Sequence, residues 1–231
     1  MKKRGIAAAV ATTVSLFAAL ALASAGGAGI TADEALGRLL DGNKRYVESG
    51  LKACGETNTA AREKLAKGQK PYAIILSCSD SRVPPELIFD KGLGEIFVVR
   101  VAGNVPDPIV VGSIEYAAEH LGSPLVMVLG HERCGAVKAT VDANGKGEGN
   151  IGAIVKTVAP ALKKVKQDKS CDLKDKDKLV ECVVDANAKM VAKNLTKQSK
   201  ILRELVHEGK VKIVAAKYDL DDGKVTVFDS K

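Results

Sequence analysis

Three short runs of consecutive apolar residues lie between positions 71 and 129, each closed by a polar segment rich in Gly or Ser. Pro71 opens the first, Tyr72-Ala73-Ile74-Ile75-Leu76, which gives way to Ser77-Cys78-Ser79-Asp80-Ser81; Ile96 to Val101 and Pro124 to Leu129 are the others. Runs of this length without polar alternation predict strands buried on both faces. Between the second and third, Ile109 to Leu121 has helical periodicity and stops at Gly122, a residue suited to a helix C-terminus. Strand, helix, strand alternation predicts a parallel sheet with crossover helices. Val211 to Ala216 adds a fourth strand. The Asp221-Asp222-Gly223 turn before Val225 to Phe228 then predicts an antiparallel edge strand.

Residues 148–167 and 176–208 read as helices, with a shorter helical pattern around Ala60 to Ala66. Upstream, Thr31-Ala32-Asp33-Glu34 has capping-box spacing, and Ala35, Leu36, Leu39, Leu40 and Tyr46 follow with helical periodicity. The fold class is therefore α/β: a mostly parallel central sheet of about four strands with an antiparallel edge strand, flanked by helices, plus an N-terminal helical arm. Neither a repeat nor a low-complexity linker divides the chain, so residues 26–231 read as a single domain.

The first 25 residues are of another kind. Lys2, Lys3 and Arg4 precede an apolar stretch that ends in Ala23-Ser24-Ala25, the pattern of a signal peptide cleaved after Ala25. The stretch approaches membrane-spanning length, but it is built of Ala rather than Leu or Ile, and nothing later offers about 18 continuous apolar residues. The expectation is a periplasmic or secreted protein with no stable membrane insertion after cleavage. Of the formal net charge of +7, three positive charges belong to the leader, leaving a mildly basic +4. With no Trp and few aromatic residues for stacking bases, nucleic acid is excluded as a partner. The alternating run Lys174-Asp175-Lys176-Asp177-Lys178 reads as solvated surface.

Parallel sheets carry their functional loops at the carboxyl ends of strands. The first apolar run leads into Ser77-Cys78-Ser79-Asp80-Ser81-Arg82, and the third into Gly130-His131-Glu132-Arg133-Cys134-Gly135. Zinc accepts thiolate and imidazole ligands, and a catalytic site supplies three while leaving a fourth position open. Cys78, His131 and Cys134 make such a set. Taken singly, each also fits a buried core position. Their placement at two strand ends, in a chain whose other histidines are only His120 and His207, favours the metal. Two cysteines on a metal leave three in an oxidising compartment. Cys171 and Cys182 are close enough in sequence to close a short loop as a disulfide, with Cys54 left over.

The motifs CSDSRV and GHERCGAV resemble those of the β-class carbonic anhydrases. LLDGNKRYVESG is similar to that family's amino-terminal helix, FVVRVAGN to its second strand, GSIEYAAEHLG to the helix before the metal loop, and KIVAAKYDLDDGKVTVFD to its last strands. The resemblance runs from about residue 31 to 229. It implies one zinc ion per chain on Cys78, His131 and Cys134, with Arg82 pairing with Asp80. Asp80 would accept a hydrogen bond from zinc-bound water or move in as a fourth ligand; the pair also fits a loop-stiffening salt bridge. The activity implied is that of a carbonate dehydratase, the reversible hydration of CO2 to bicarbonate and a proton by zinc-bound hydroxide, available because the metal lowers the water's pKa to about 7.

Backbone groups around Ala102 to Asn104 would line the slot for CO2. A homodimer or higher homo-oligomer is implied, with the N-terminal helix embracing its neighbour; the Leu36, Leu39, Leu40 stripe suits either that role or ordinary core. Ile75 stands where some members carry the Trp of a regulatory bicarbonate site, although Arg100 matches that site's arginine, so no such site is expected. No histidine is placed as a proton shuttle: His207 reads as an ordinary solvated residue, which leaves buffer to carry the proton. Two rivals share the metal set, a hydrolase of carbonyl sulfide or carbon disulfide and a zinc-binding module without turnover. The Asp80-Arg82 pair argues against the second.

Overall fold

The computed structural model describes residues 29–52, 57–168 and 171–229. The leader 1–25 and Cys54 lie outside them. Strands β1 (Ala73–Ser77), β2 (Ile96–Arg100), β3 (Leu125–His131), β4 (Lys212–Tyr218) and β5 (Val225–Val227) form one sheet in the order β2-β1-β3-β4-β5. All neighbours are parallel except β5, which runs antiparallel to β4 across the predicted turn. Around the sheet are α1 (Ala32–Val47), α2 (Thr59–Leu65), α3 (Pro85–Ile88), α4 (Pro108–Glu119), α5 (Gly135–Asp142), α6 (Ile151–Asp168), α7 (Lys176–Gln198) and α8 (Lys200–His207), with a 3-10 turn at Ala102–Asn104. Among the described residues no helix is long and apolar enough to cross a membrane.

The unbroken apolar runs have a direct cause. Every residue of β1 and β3 is buried, because successive side chains point to opposite faces and both faces are covered. Ala73, Ile75, Met127, Leu129 and Val214 pack with Leu39 of α1 and with Val158 and Leu162 of α6. Ile74, Leu76, Val126 and Val128 pack on the other side with Ile114 of α4 and Leu202 of α8. Helix α7 is long enough to serve both faces: Val183 and Val184 join the first cluster, Val191 and Leu195 the second.

Helix α1 begins with the predicted capping box, Thr31 accepting from the Glu34 N–H and Glu34 accepting from that of Thr31. Its leucine stripe divides: Leu39 is fully buried core, while Leu36 and Leu40 remain partly exposed. Asn43 anchors the helix, donating from Nδ2 to the Ile88 and Gly223 carbonyls at 3.2 and 2.8 Å and accepting from the Val225 N–H at 2.8 Å. That one buried amide joins α1 to α3 and to the β4–β5 hairpin.

Two local features differ from the sequence expectation, and a third agrees with it. The predicted helix 176–208 is two helices, because Ser199 leaves the helical conformation and its hydroxyl accepts from the Leu202 N–H to cap α8. Helices α3 and α5 follow the two candidate motifs and are too short to announce themselves by periodicity. Cys171 and Cys182 form the expected disulfide, which closes the connection between α6 and α7.

The chain passes from β1 to β2 on one side, and α4 then returns it to the opposite side of β1 as β3. The strand order therefore reverses between β1 and β3. Open α/β sheets form their binding crevices at such a switch point, beyond the carboxyl ends of the strands.

Candidate metal centre

Cys78 is the first residue beyond β1, and its side chain is buried at the switch point. Asp80 follows in a tight turn: Oδ1 accepts from the Arg82 N–H at 3.0 Å and from Nε at 2.9 Å, while Oδ2 accepts from Nη2 at 2.7 Å. Arg100, the last residue of β2, donates from Nε to the Cys78 carbonyl at 2.9 Å and from Nη2 to that of Asp80 at 2.6 Å. On the other side of the crevice His131 is the last residue of β3 and Cys134 caps α5. Between them Arg133 holds a positive φ of 50°, which turns the chain sharply enough to bring both side chains to one point.

The sulfurs of Cys78 and Cys134 and a ring nitrogen of His131 all lie within 4.8 Å of one another. All three side chains are buried, His131 at 1% exposure. The Gly103 N–H donates to the Cys78 sulfur at 3.3 Å. Gly103 has a φ of 70°, and a Cβ there would sit 3.1 Å from that of Ala136, so the backbone approaches this closely only because the residue is glycine. Asn187 of α7 fixes the same turn by donating from Nδ2 to the Gly103 carbonyl at 3.0 Å.

Electrostatics favour a cation at this point. The His131 Nδ1 lies 2.8 Å from the Glu132 carbonyl, which can only accept, so the proton sits on Nδ1 and Nε2 presents a lone pair. Nε2 is buried without a hydrogen-bond partner, an arrangement that costs about 1–3 kcal/mol unless a ligand takes the lone pair. Cys78 is pulled down to about 4, chiefly by the hydrogen bond from Cys134 and against the effect of burial. Cys134 is pushed up by the Cys78 sulfur and by burial. The two sulfurs thus share a proton that a divalent cation would displace. Hydrogen bonds from Arg82 hold the Asp80 carboxyl well below the usual carboxylate range, against partial burial, and its Oδ2 lies 4.0 Å from His131 Nε2. Two thiolates, one imidazole and a nearby carboxylate are a donor set that zinc accepts.

The structure brings together all five residues singled out in the sequence and adds others. Arg100, associated above with a regulatory site, spends its guanidinium on the carbonyls of the Cys78 loop, and Ile75 is fully buried in the sheet. Asn187 does leave a signal in the sequence: it is a polar residue on the apolar stripe formed by Val180, Val183, Val184, Ala188 and Val191. His120 and His207 are exposed at the ends of α4 and α8.

A mostly parallel sheet covered on both faces, with a buried Cys-His-Cys group at its switch point that could hold a metal ion, defines an α/β protein with a candidate metal centre. Residues 73–225 match the family model described as carbonic anhydrase. The chain is 40% identical over 194 residues to carbonic anhydrase 2 of Mycobacterium tuberculosis, covering 83% of this chain and 90% of that one. It is 47% identical over 127 residues to the carbonic anhydrase of Mycolicibacterium smegmatis, covering 54% and 61%. Among solved structures, the β-carbonic anhydrase CcaA superposes with a TM-score of 0.67 at 25% identity, over 84% of this chain and 95% of that one. CafA of Aspergillus fumigatus gives 0.68 at 26%, over 85% and 90%. The chain belongs to the carbonic anhydrase family, in its β class, whose enzymes are carbonate dehydratases.

Proposed function

We propose that this protein is a zinc carbonic anhydrase that hydrates CO2 to bicarbonate, with Cys78, His131 and Cys134 holding one zinc ion per chain. The observation that carries the reading is the buried, partnerless Nε2 of His131 converging with two cysteine sulfurs. Bound there by three protein ligands, zinc would supply Lewis-acid activation of water, bringing its pKa to about 7 and so providing a nucleophile near neutrality.

The remaining work falls to the chain. Glu132 fixes the His131 tautomer through its carbonyl, and Arg100 and Gly103 fix the Cys78 loop. Asp80, held ionised by Arg82, is placed to accept a hydrogen bond from the attacking water and would thereby orient it. The net reaction adds one water to CO2 and yields bicarbonate and a proton, which would pass to buffer.

Asp80→Ala is expected to lower kcat for CO2 hydration by about 10–100-fold, the usual effect of losing such an outer partner, with zinc still bound. Stopped-flow hydration on zinc-loaded protein measures it. No hydration by the wild type above buffer would overturn the proposal, and sulfide release from carbonyl sulfide in its place would favour the rival hydrolase.

The same proposal extends to location and assembly: a leader, residues 1–25, removed on export to the periplasm or medium, and one domain, residues 26–231, that assembles as a homodimer or larger. The Cys171–Cys182 disulfide supports an oxidising compartment. Two β-carbonic anhydrases of Sordaria macrospora, one of them 26% identical to this chain with a TM-score of 0.62 over 85% of it, are described as tetrameric. Intact-mass analysis of the exported protein is expected to place its start at Gly26 and to register reduction of one disulfide, and light scattering to give a dimer or larger. A monomer that retains the leader would refute this part.

A further inference from the structure

Arg133 is the pivot of the metal loop: it stands between His131 and Cys134 in the left-handed region, at a φ of 50°. Asn, Asp and Gly enter that region readily and Arg does not, so surrounding contacts have to hold it there. The Arg133 N–H donates to Glu181 Oε1 of α7 at 2.8 Å. Its carbonyl faces Arg82 Nη2 at 3.4 Å, the same nitrogen that holds Asp80 Oδ2. Its guanidinium forks onto Asp221 of the β4–β5 hairpin at 2.9 and 2.9 Å. Glu181 is itself held in place, half-buried on α7 and facing Lys217 of β4 at 3.8 Å. The next residue, Cys182, is tied to Cys171.

We propose that Glu181 is a positioning residue for the metal centre, fixing the Arg133 peptide so that His131 and Cys134 converge and Arg82 meets Asp80 in register. This inference rests on the zinc reading above. A chain of contacts runs from a rigid helix to the turn that separates two ligands, and Glu181 is its only link to α7 through the Arg133 backbone among the contacts described. Glu181, Arg133 and Asp221 also border a cavity of about 830 Å³ on the side of the disulfide. Truncating Glu181 admits water from that cavity to the Arg133 N–H, so the fold is retained while the fixed anchor is lost.

The test measures zinc affinity by chelator competition in wild type, Glu181→Ala, Glu181→Met and Glu181→Gln. Met fills the space of Glu without an acceptor, whereas Gln keeps the acceptor and loses the charge. Ala and Met are expected to weaken zinc binding by about 10–100-fold, with a changed visible spectrum in the cobalt-substituted protein, and Gln to stay within about threefold of wild type on the same outer-partner argument. Wild-type affinity in both Ala and Met, or a Gln variant as weak as Met, would overturn the role assigned to Glu181. Wild-type protein that takes up no zinc would overturn the zinc reading itself, and with it this inference.

Discussion

Replacing Cys78 with serine is expected to bring CO2 hydration down to the buffer background and to leave the protein without stoichiometric zinc. The Cys78 sulfur is the donor most ready to ionise, pulled to about 4 by the Cys134 thiol and helped by the Gly103 N–H. A serine hydroxyl keeps the shape and can accept the same N–H, but it stays neutral near pH 7 and offers no soft anionic donor. Removing a direct ligand should exceed the roughly 10–100-fold effect of an outer-partner change. Metal analysis and stopped-flow hydration on the same preparation check it, with thermal unfolding as the control for the fold. A serine variant that keeps both its zinc and its turnover would remove Cys78 from the site.

The second large effect concerns stability, and two principles disagree about its sign. Gly42 lies in the middle of α1, where helix propensity alone says that Gly42→Ala gains about 1 kcal/mol. The tertiary contact reverses this. A Cβ on Gly42 would lie 1.7 Å from the Phe89 carbonyl oxygen and 2.7 Å from its carbon, and both belong to backbone that no side-chain rotation can move. Relief requires α1 to shift away from the end of α3, which also stretches the Asn43 hydrogen bonds to Ile88, Gly223 and Val225. Overpacking typically costs about 1–3 kcal/mol, occasionally more, and the neighbouring buried amide adds to it. Gly42→Ala is therefore expected to lose at least about 2 kcal/mol by these two effects, read as a lower urea midpoint at unchanged slope. A variant as stable as wild type or more so would show that α1 docks with more freedom than the structure has.

How much of this was legible beforehand depended on the range of the interactions involved. The strands could be read because burial on both faces leaves an unbroken apolar run in the sequence itself. The α1 start could be read because a capping box is complete within four residues. The ligands could be read because His131 and Cys134 are neighbours and Cys78 sits at a recognisable strand end. Ser199 defeated the reading: helical periodicity continues across it, and the break exists because α8 turns to cover the face that holds Ile74 and Leu76.

The amino-acid sequence by itself determined the α/β class, the strand positions and the candidate donor set at Cys78, His131 and Cys134, and left the pairing of Cys171 with Cys182 to the structure. Tertiary structure alone decided that the donors meet at one buried point. It also chose their supports: Arg100 for the Cys78 carbonyl, 22 residues away, Glu181 for the Arg133 N–H, 48 away, and Asn187 for the Gly103 carbonyl, 84 away. Periodicity and capping register what a residue does to its neighbours within a turn or two. A hydrogen bond between distant segments leaves no such trace, because its partner and its geometry exist only once the sheet has brought the strand ends and α7 together.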